Sequence, residues 1–479
     1  MSFTRRDAVR MIAGAGALAV RGAGGRVLAA APEGWRAGFA NAPAQLGAEL
    51  RPLFGKVPAG LSGVLYRAGP GQFERGGERI GHWFDGDGMI QRFHIAGGRV
   101  RHRGRFVATT KRLDEEAAGH FKYGGYGFAP KTPAAFSRPD EINAANTNVL
   151  PLGREIWALW EGGSPWRLDA DLLETLGRQA FPGAADGLVF SAHPRIEPGG
   201  DIWNFGGFGS RCVLWRLGND GALKKVEPFP LPRSTLMHDF AVTERHIVLL
   251  APPMIEASRP ARSLIERFDW RADEPLLAIV IDTNDFSLRR VHELPAHFLY
   301  HIGNAWEDSA GTIRLDACLS EDVDFAVRVA RLLPSGTFEE PPYAKPTLIT
   351  LHADGRASLE TMPGRGEFPR VDPRRIGQRH RYTYGHSADG LVRWNWDGGE
   401  ATHASYGRDY WPEEPVFVPR SASSREDDGW LLATRLNLAS ARTELLVFDA
   451  RRLSEGPLAA FACPYAIPLG FHGSFVRAA

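Results

Sequence analysis

The chain has 479 residues, a length that allows several ordinary domains or one large repetitive domain. Hydrophobic residues make up 43% and charged residues 24%, which is typical of a globular protein with a large core. The 57 Lys and Arg residues nearly balance the 56 Asp and Glu residues, so a nucleic-acid partner is not expected. Cys212, Cys318 and Cys463 form neither a CxxC zinc site nor a disulfide framework, and we expect packed thiols.

Residues 1–30 have the order of regions found in an export signal. The paired Arg5 and Arg6 precede an apolar run over 11–20, and the small residues of "VLAAAP" follow. The apolar run is about half as long as a membrane-spanning helix. A twin arginine in this setting indicates the bacterial Tat route. We therefore expect a signal peptide over 1–30 and one exported, periplasmic domain over 31–479; a basic disordered tail is the alternative.

Short strand-like runs recur from about residue 60 to the end. Apolar and polar residues alternate in "GVLYRAG", "REIWALWEGG", "HIVLLAP" and "ELLVFDARR", and the 54 glycines and 34 prolines supply turns between such runs. This pattern predicts an all-β array, sandwich or propeller. No strict repeat gives a blade count. The best helical patches are "ADLLETLG" at 170–177 and "PARSLIERFD" at 260–269.

The string "HWFDGDGMI" contains two carboxylates, Asp85 and Asp87, each followed by a glycine. A calcium loop or a paired acid and base is one interpretation. A tight hairpin turn is the other, because Asp and Gly supply local hydrogen bonds and positive φ angles. We favour the turn.

Four of the fifteen histidines share an unusual context at the edge of an apolar strand-like run. They are His193 in "SAHPR", His238 in "MHDFAVTE", His301 in "YHIGNAWE" and His472 in "FHGSF". Imidazoles without cysteine or carboxylate suit Fe(II), Cu or Zn. From spacing alone, an ordinary surface or core role is the alternative for each.

Eight strings carry a family resemblance. They are "RAGPGQF…HWFDGDGMIQRF", "ANTNVL…IWALWEGG", "SAHPR", "MHDFAVTE", "HIGNAWE", "GEFPR", "EEPVFVPR…DDGWLL" and "FHGSFV". In these strings, which span 67–476 in the same order, the chain resembles the carotenoid cleavage oxygenases. The resemblance implies a seven-bladed β-propeller with a cap of loops and helices over a central iron.

The resemblance also implies a metal site with one Fe(II) per chain. Its ligands would be His193, His238, His301 and His472. Three glutamates would accept hydrogen bonds from the outer ring nitrogens, which fixes the tautomers and offsets the metal charge: Glu161 in "LWEGG", Glu367 in "GEFPR" and Glu414 in "EEPVF". Thr147 in "ANTNV" matches a threonine that crowds one vacant iron position. Two positions of a six-coordinate ion would remain for O2.

The implied reaction is oxidative cleavage of a C=C double bond in a lipophilic carotenoid or apocarotenoid, with O2 as co-substrate and two carbonyl products. The stilbene-cleaving relatives carry a lysine just before the first glutamate, where this chain has Trp160, an apolar surface without a cation. Stilbene cleavage, with Tyr123 or Tyr126 binding the phenol, is the alternative. A non-catalytic propeller that only binds a lipophilic ligand or a protein is a third interpretation. The oligomeric state stays open.

Three aromatic features bear on the substrate. Tyr300 and Phe368 adjoin His301 and Glu367, so we expect them to line an apolar tunnel; core packing is the alternative. The Gly/Pro-rich, aromatic segment 121–136 reads as a loop. It is interpreted either as a lid packed on the propeller, which we favour, or as a hydrophobic entrance in peripheral contact with a membrane.

Overall fold

Seven antiparallel sheets follow one another along the chain and form the blades of a β-propeller. The computed structural model describes residues 33–208 and 210–478, so the Tat signal predicted over 1–30 lies outside the described residues. From Glu33 onward the chain folds as one unit. The all-β prediction and the seven blades implied by the resemblance are confirmed.

The first five blades each have four strands in chain order. The first strands of blades 4 and 5 line the central cavity. Blade 1 contains Asn148–Leu152, Glu155–Leu159, Trp166–Asp169 and Thr175–Arg178. Blade 2 contains Arg195–Ile196, Ile202–Phe208, Arg211–Leu217 and Leu223–Pro230. Blade 3 contains Phe240–Val242, His246–Ala251, Leu276–Asp282 and Leu288–Leu294. Blade 4 contains Phe298–Glu307, Ile313–Ser320, Lys345–Leu351 and Ala357–Thr361. Blade 5 contains Glu367–Arg370, Tyr382–Ser387, Gly390–Asn395 and Glu400–Ser405.

The last two blades have five strands because segments from both ends of the described chain complete them. Blade 6 contains Tyr410–Pro419, Gly429–Asn437, Arg442–Asp449 and Ala459–Ala462, with Arg51–Gly55 as its outer strand. Blade 7 contains, from the inner strand outward, Gly473–Arg477, Gly63–Gln72, Asp87–Ala96, Arg99–Phe106 and Gln45–Glu49. The inner pair is antiparallel, with Arg67 opposite Gly473. This pairing closes the propeller directly after His472.

The core lies between neighbouring blades. Val248 of blade 3 and Leu315 of blade 4 belong to one buried cluster, and Phe93 of blade 7 and Trp430 of blade 6 belong to another. Burying a side chain of this size contributes about 1.5–3 kcal/mol. Strands in the middle of a blade are covered on both faces, which explains continuous apolar runs such as Leu276–Asp282.

Helices are few and short among the described residues. The α-helices are Thr110–Ala118 and Ala330–Leu332, and Phe325–Val329 is a π-helix. The 3₁₀ helices are Glu33–Phe39, Trp83–Asp85, Pro139–Ile142, Gly183–Ala185, Ile265–Arg267, Pro373–Arg375 and Ala450–Glu455. The predicted helical patch at 170–177 is wrong, because this segment enters an outer strand; the patch at 260–269 holds a single 3₁₀ turn. No described helix is long and apolar enough to cross a membrane.

The two carboxylates of "HWFDGDGMI" are buried, so the prediction of a tight hairpin turn is wrong. Asp85 ends a 3₁₀ helix and accepts hydrogen bonds from the backbone N–H groups of Tyr126 at 2.5 Å and Gly127 at 2.9 Å. Asp87 accepts hydrogen bonds from Lys111 Nζ at 2.8 Å and Arg75 Nη2 at 2.7 Å. Asp85 therefore fixes the 121–136 loop to the propeller.

Candidate metal centre

Four imidazoles from four blades meet at the centre of the propeller. The Nε2 atom of His238 lies 2.9 Å from Nε2 of His193 and 3.3 Å from Nε2 of His301. The Nε2 atoms of His301 and His472 are 3.2 Å apart. One ring nitrogen from each residue falls within 4.8 Å of the other three. The structure thus brings together the four histidines that the sequence singles out.

The local structure explains why these side chains point inward. His193, His238 and His472 each lie just before the first strand of their blades, where the chain enters the propeller. His301 lies inside Phe298–Glu307, and the pairing register of this strand shifts on both sides of Ile302. Such irregularities re-aim side chains and are common beside active sites.

Carboxylates from the other three blades reach the outer ring nitrogens. His301 Nδ1 donates a hydrogen bond to Glu367 Oε2 at 2.6 Å, and His472 Nδ1 donates one to Glu414 Oε1 at 2.8 Å. These glutamates lie in the first strands of blades 5 and 6. Glu161, from the turn after the second strand of blade 1, has Oε1 at 3.3 Å from His238 Nδ1 but accepts no hydrogen bond from it, so this part of the prediction is wrong. Each of the seven blades therefore contributes one histidine or one glutamate.

This donor set fits a bound metal ion. A neutral imidazole that donates through Nδ1 presents a lone pair at Nε2. The Nε2 atoms of His301 and His472 face each other at 3.2 Å, and two lone pairs at this distance repel unless a cation lies between them. Four imidazole donors without a thiolate suit Fe, Cu or Zn.

The ionisation states also favour metal binding. Burial, with a smaller effect of the neighbouring imidazoles, lowers the pKa values of His193 and His238 well below the ordinary value. Burial lowers the pKa of His472 to about 4, although Glu414 opposes this shift. Burial alone would raise the pKa of Glu414, but Arg370 and His472 outweigh it and bring it to about 2. A metal site requires neutral imidazole rings as ligands, and an ionised carboxylate beside them favours the bound cation.

A cavity of about 860 Å³ opens onto three of the four imidazoles, all but that of His193, and its lining includes Trp160, Tyr300 and Phe368. The Tyr300 ring centroid lies 5.0 Å from that of His238, and the Phe368 centroid lies 4.7 Å from that of His301. Phe368 has a φ of 56°, a left-handed conformation that is rare for a bulky residue and is frequent at functional sites. Its N–H donates a hydrogen bond to Glu367 Oε2 at 2.9 Å.

Thr147 also lines the cavity and contacts the backbone of a predicted ligand. Its carbonyl accepts a hydrogen bond from the N–H of His472 at 3.2 Å, and its Oγ1 donates to Asn146 Oδ1 at 2.9 Å. These bonds fix the backbone of Thr147 to that of His472 and orient its hydroxyl group toward Asn146.

The two tyrosines considered for phenol binding differ in position. Tyr126 lines the cavity, and its hydroxyl lies 3.2 Å from that of Tyr300. Tyr123 does not line it, and its hydroxyl donates a hydrogen bond to Asp114 at 2.8 Å. The prediction that Tyr123 binds a phenol is therefore wrong, because the Tyr123 hydroxyl lies outside the cavity and is already bound to Asp114.

Sequence reasoning missed the charged residues that surround the imidazoles. Arg370 Nη2 donates a hydrogen bond to the carbonyl of Gly473 at 3.0 Å, and Arg67 Nη1 donates one to the carbonyl of Glu414 at 2.9 Å. Arg195 and Asp239 form a second buried group. These charged residues all lie inside or beside the strings that carry the family resemblance. Their place in those strings was the signal that could have identified them.

The family model described as retinal pigment epithelial membrane protein matches residues 39–477. The chain belongs to this family, that of the carotenoid cleavage oxygenases. It is 30% identical to the apocarotenoid-15,15'-oxygenase of Synechocystis sp., over 93% of this chain and 96% of that one. It is 28% identical to the lignostilbene-alpha,beta-dioxygenase isozyme III of Sphingomonas paucimobilis, over 88% and 92%. The crystal structure of cobalt-substituted Synechocystis ACO matches with a TM-score of 0.81 and 29% identity, over 93% of this chain and 99% of that one.

Proposed function

We propose that this carotenoid cleavage oxygenase family member is an Fe(II)-dependent dioxygenase that cleaves a C=C double bond of an apocarotenoid into two carbonyl products, with O2 as co-substrate. The observation that carries the proposal is the cluster of four imidazoles, three of which line a large cavity with many aromatic side chains. The cavity volume of about 860 Å³ is in the upper part of the usual range for small-molecule sites, about 300–1,000 Å³.

The histidines, the glutamates and Thr147 have different roles in the proposed reaction. His193, His238, His301 and His472 would hold the iron, which would supply the activation of O2 toward an electron-rich double bond. Glu367 and Glu414 hold the rings of His301 and His472 in the correct tautomer and offset the metal charge. Glu161 places a third carboxyl group 3.3 Å from His238 Nδ1. Thr147 restricts access beside His472. No side chain has to transfer a proton, because the reaction adds oxygen across a double bond.

Trp160, Tyr300 and Phe368 support a polyene as substrate. Flat aromatic faces give extended apolar contact at low entropic cost, which suits a long conjugated chain. In the position where stilbene-cleaving relatives carry a lysine, Trp160 offers no cation for a phenolate. The apocarotenoid oxygenase and the lignostilbene dioxygenase match the chain at similar sequence identity, and the apocarotenoid oxygenase aligns over more of the chain.

Stilbene cleavage is the second candidate, because one observation favours it. The Tyr126 and Tyr300 hydroxyls form a polar pair, 3.2 Å apart, in an otherwise apolar wall. A phenolic hydroxyl placed there would find both a donor and an acceptor.

The loop over 121–136 supports the interpretation as a lid. The N–H groups of Leu264 and Ile265 donate hydrogen bonds to the carbonyls of Gly125 and Tyr126, at 3.0 and 2.8 Å. Phe136 is nevertheless half exposed beside the cavity, so we include a peripheral membrane contact in the proposal.

Export to the periplasm is proposed from residues 1–30 of the sequence alone.

His238→Ala tests the function. We expect this variant to lose bound iron and carbonyl product together, because His238 lies between His193 and His301 in the cluster. Iron content is measured by atomic spectroscopy, and products are measured by mass spectrometry. His120→Ala, at an exposed histidine outside the cluster, is the control and keeps both. An active, iron-free His238→Ala protein would refute the proposal.

A further inference from the structure

A mostly buried ion pair lies directly beside the imidazole cluster. Arg195 Nη2 lies 2.8 Å from Oδ1 and 2.7 Å from Oδ2 of Asp239. The Arg195 side chain is 13% exposed and that of Asp239 is 2% exposed. Arg195 begins the first strand of blade 2, and Asp239 directly precedes that of blade 3.

The guanidinium group also binds backbone carbonyls of two further blades. Its Nε donates a hydrogen bond to the carbonyl of Phe240 at 2.9 Å. Its Nη1 donates to the carbonyl of Gly303 at 3.0 Å, and its Nη2 donates to that of Ile302 at 2.8 Å. One side chain from blade 2 thus fixes the backbone of blades 3 and 4.

The carboxylate of Asp239 completes the same connection. Its Oδ1 accepts a hydrogen bond from the N–H of Phe240 at 2.7 Å, and its Oδ2 accepts one from the N–H of Ile302 at 2.8 Å. Both oxygens therefore bind Arg195 and a backbone amide at once. Charge-assisted bonds of this kind are about twice as strong as neutral ones.

Every residue in this network is one or two positions from a histidine of the cluster. Arg195 follows His193 by two residues, Asp239 follows His238, and Ile302 follows His301. The register shifts of Phe298–Glu307 flank Ile302, whose N–H and C=O bind Asp239 and Arg195. The pair is therefore placed to set where three of the four imidazoles point.

We propose that Arg195 and Asp239 are positioning residues that hold the His193, His238 and His301 rings in the geometry required for metal binding. This inference rests on the proposed metal-dependent function. Neither residue is among the ligands of the cluster, so both act through the backbone of residues next to the histidines.

A second ion pair provides a matched control. Arg435 Nη2 lies 2.7 Å from Glu444 Oε2, and the two side chains are 10% and 5% exposed. This pair joins adjacent strands within blade 6, Gly429–Asn437 and Arg442–Asp449. Removing its charge costs comparable stability without touching the backbone of a histidine in the cluster.

The experiment compares Asp239→Asn, Arg195→Lys and Glu444→Gln in the full chain. Metal affinity is measured by chelator competition with Fe(II) and Co(II), ligand geometry by the visible spectrum of bound Co(II), and stability by thermal unfolding. We expect Asp239→Asn and Arg195→Lys to lose about 10-fold to 100-fold in affinity, as for other residues that orient metal ligands, and to shift the Co(II) spectrum. Glu444→Gln lowers Tm but keeps wild-type affinity within about twofold.

Arg195→Lys is the milder change, since it keeps the positive charge and loses only the planar set of hydrogen-bond donors. Its metal affinity and Co(II) spectrum therefore test the proposal even when Asp239→Asn does not fold. The inference is overturned when the folded variants keep the wild-type affinity and spectrum, or when Glu444→Gln loses as much affinity as they do. Wild-type protein that binds neither metal would overturn the proposed function itself, and the inference with it.

Discussion

His472 Nδ1 donates a hydrogen bond to Glu414 Oε1 at 2.8 Å and thereby joins the last described strand to the first strand of blade 6. The other carboxylate oxygen of Glu414 accepts a hydrogen bond from the N–H of Gly473 at 2.8 Å. His472 is only 4% exposed although it lies near the end of the sequence. Closure of the propeller and completion of the imidazole cluster thus depend on the same residues.

The three glutamates are expected to differ in importance. Glu367 and Glu414 lie 2.6 and 2.8 Å from their histidines, whereas Glu161 lies 3.3 Å from His238. We predict that Glu367→Gln and Glu414→Gln lower iron affinity about 10-fold to 100-fold, and that Glu161→Gln lowers it less. Chelator competition measures all three. The reverse order would show that these nitrogen-to-oxygen distances do not govern affinity.

Trp160 is expected to act on the substrate and not on the metal. Trp160→Ala should lower kcat/KM for an apocarotenal roughly two- to tenfold, the value of one aromatic contact, with unchanged iron content. Trp160→Lys should lower it further, because a cation then faces the polyene. Steady-state kinetics with metal analysis checks both. Loss of iron in either variant would contradict this assignment.

Glu307 should make part of the stability dependent on pH. Its carboxylate accepts hydrogen bonds from His246 Nδ1 at 2.8 Å and Thr243 Oγ1 at 2.9 Å. Burial raises its pKa, but the bonds from His246, Arg245 and Thr243 outweigh burial and bring it to about 2. The contribution, about 3 kcal/mol, is therefore complete at pH values above the ordinary pKa of 4.5 and is lost as the pH falls toward 2.

Denaturant unfolding of Glu307→Gln at several pH values checks this. We expect the free-energy difference from wild type to be large at pH 7 and to shrink below pH 4.5. Glu293→Gln, at an exposed glutamate of blade 3, is the control and should differ little at any pH. A constant difference for Glu307→Gln would exclude the ionised carboxylate as its source.

Phe136 tests the membrane contact. Its side chain is 50% exposed and lines the cavity, whereas Phe128 packs on Phe121 with ring centroids 5.5 Å apart. We predict that Phe136→Ser, alone and with Phe128→Ser, weakens binding to liposomes in a flotation assay. Leu172→Ser, equally exposed at 49% on blade 1, should not. Unchanged binding by both serine variants would leave 121–136 as a lid only.

The metal ligands could be predicted because short strings around His193, His238, His301 and His472 carry the family resemblance. The Arg195–Asp239 pair could not be derived from a pattern, since its partners are 44 residues apart and meet only through the blade geometry. Likewise, the hydrogen bond between Tyr123 and Asp114 depends on how the loop folds back on the helix Thr110–Ala118.

The helix Thr110–Ala118 was missed for a physical reason. Its buried face consists of Lys111, Arg112 and Glu115, so apolar residues do not recur at the helical period. Conversely, "ADLLETLG" has helical spacing, but Thr175–Arg178 pairs with Trp166–Asp169 as the outer strand of blade 1. Strand pairing overrides local propensity there.

Product analysis by mass spectrometry tests the central claim most directly. Purified Fe(II)-loaded protein is given apocarotenals and 4-hydroxystilbenes separately in air. The account predicts two polyene carbonyl fragments from the apocarotenal, and their masses identify the cleaved bond. Benzaldehydes from the stilbene, with no product from the apocarotenal, would contradict the proposed substrate class. They would indicate that the phenol binds at the Tyr126–Tyr300 pair. No carbonyl product from either substrate would contradict the proposed reaction.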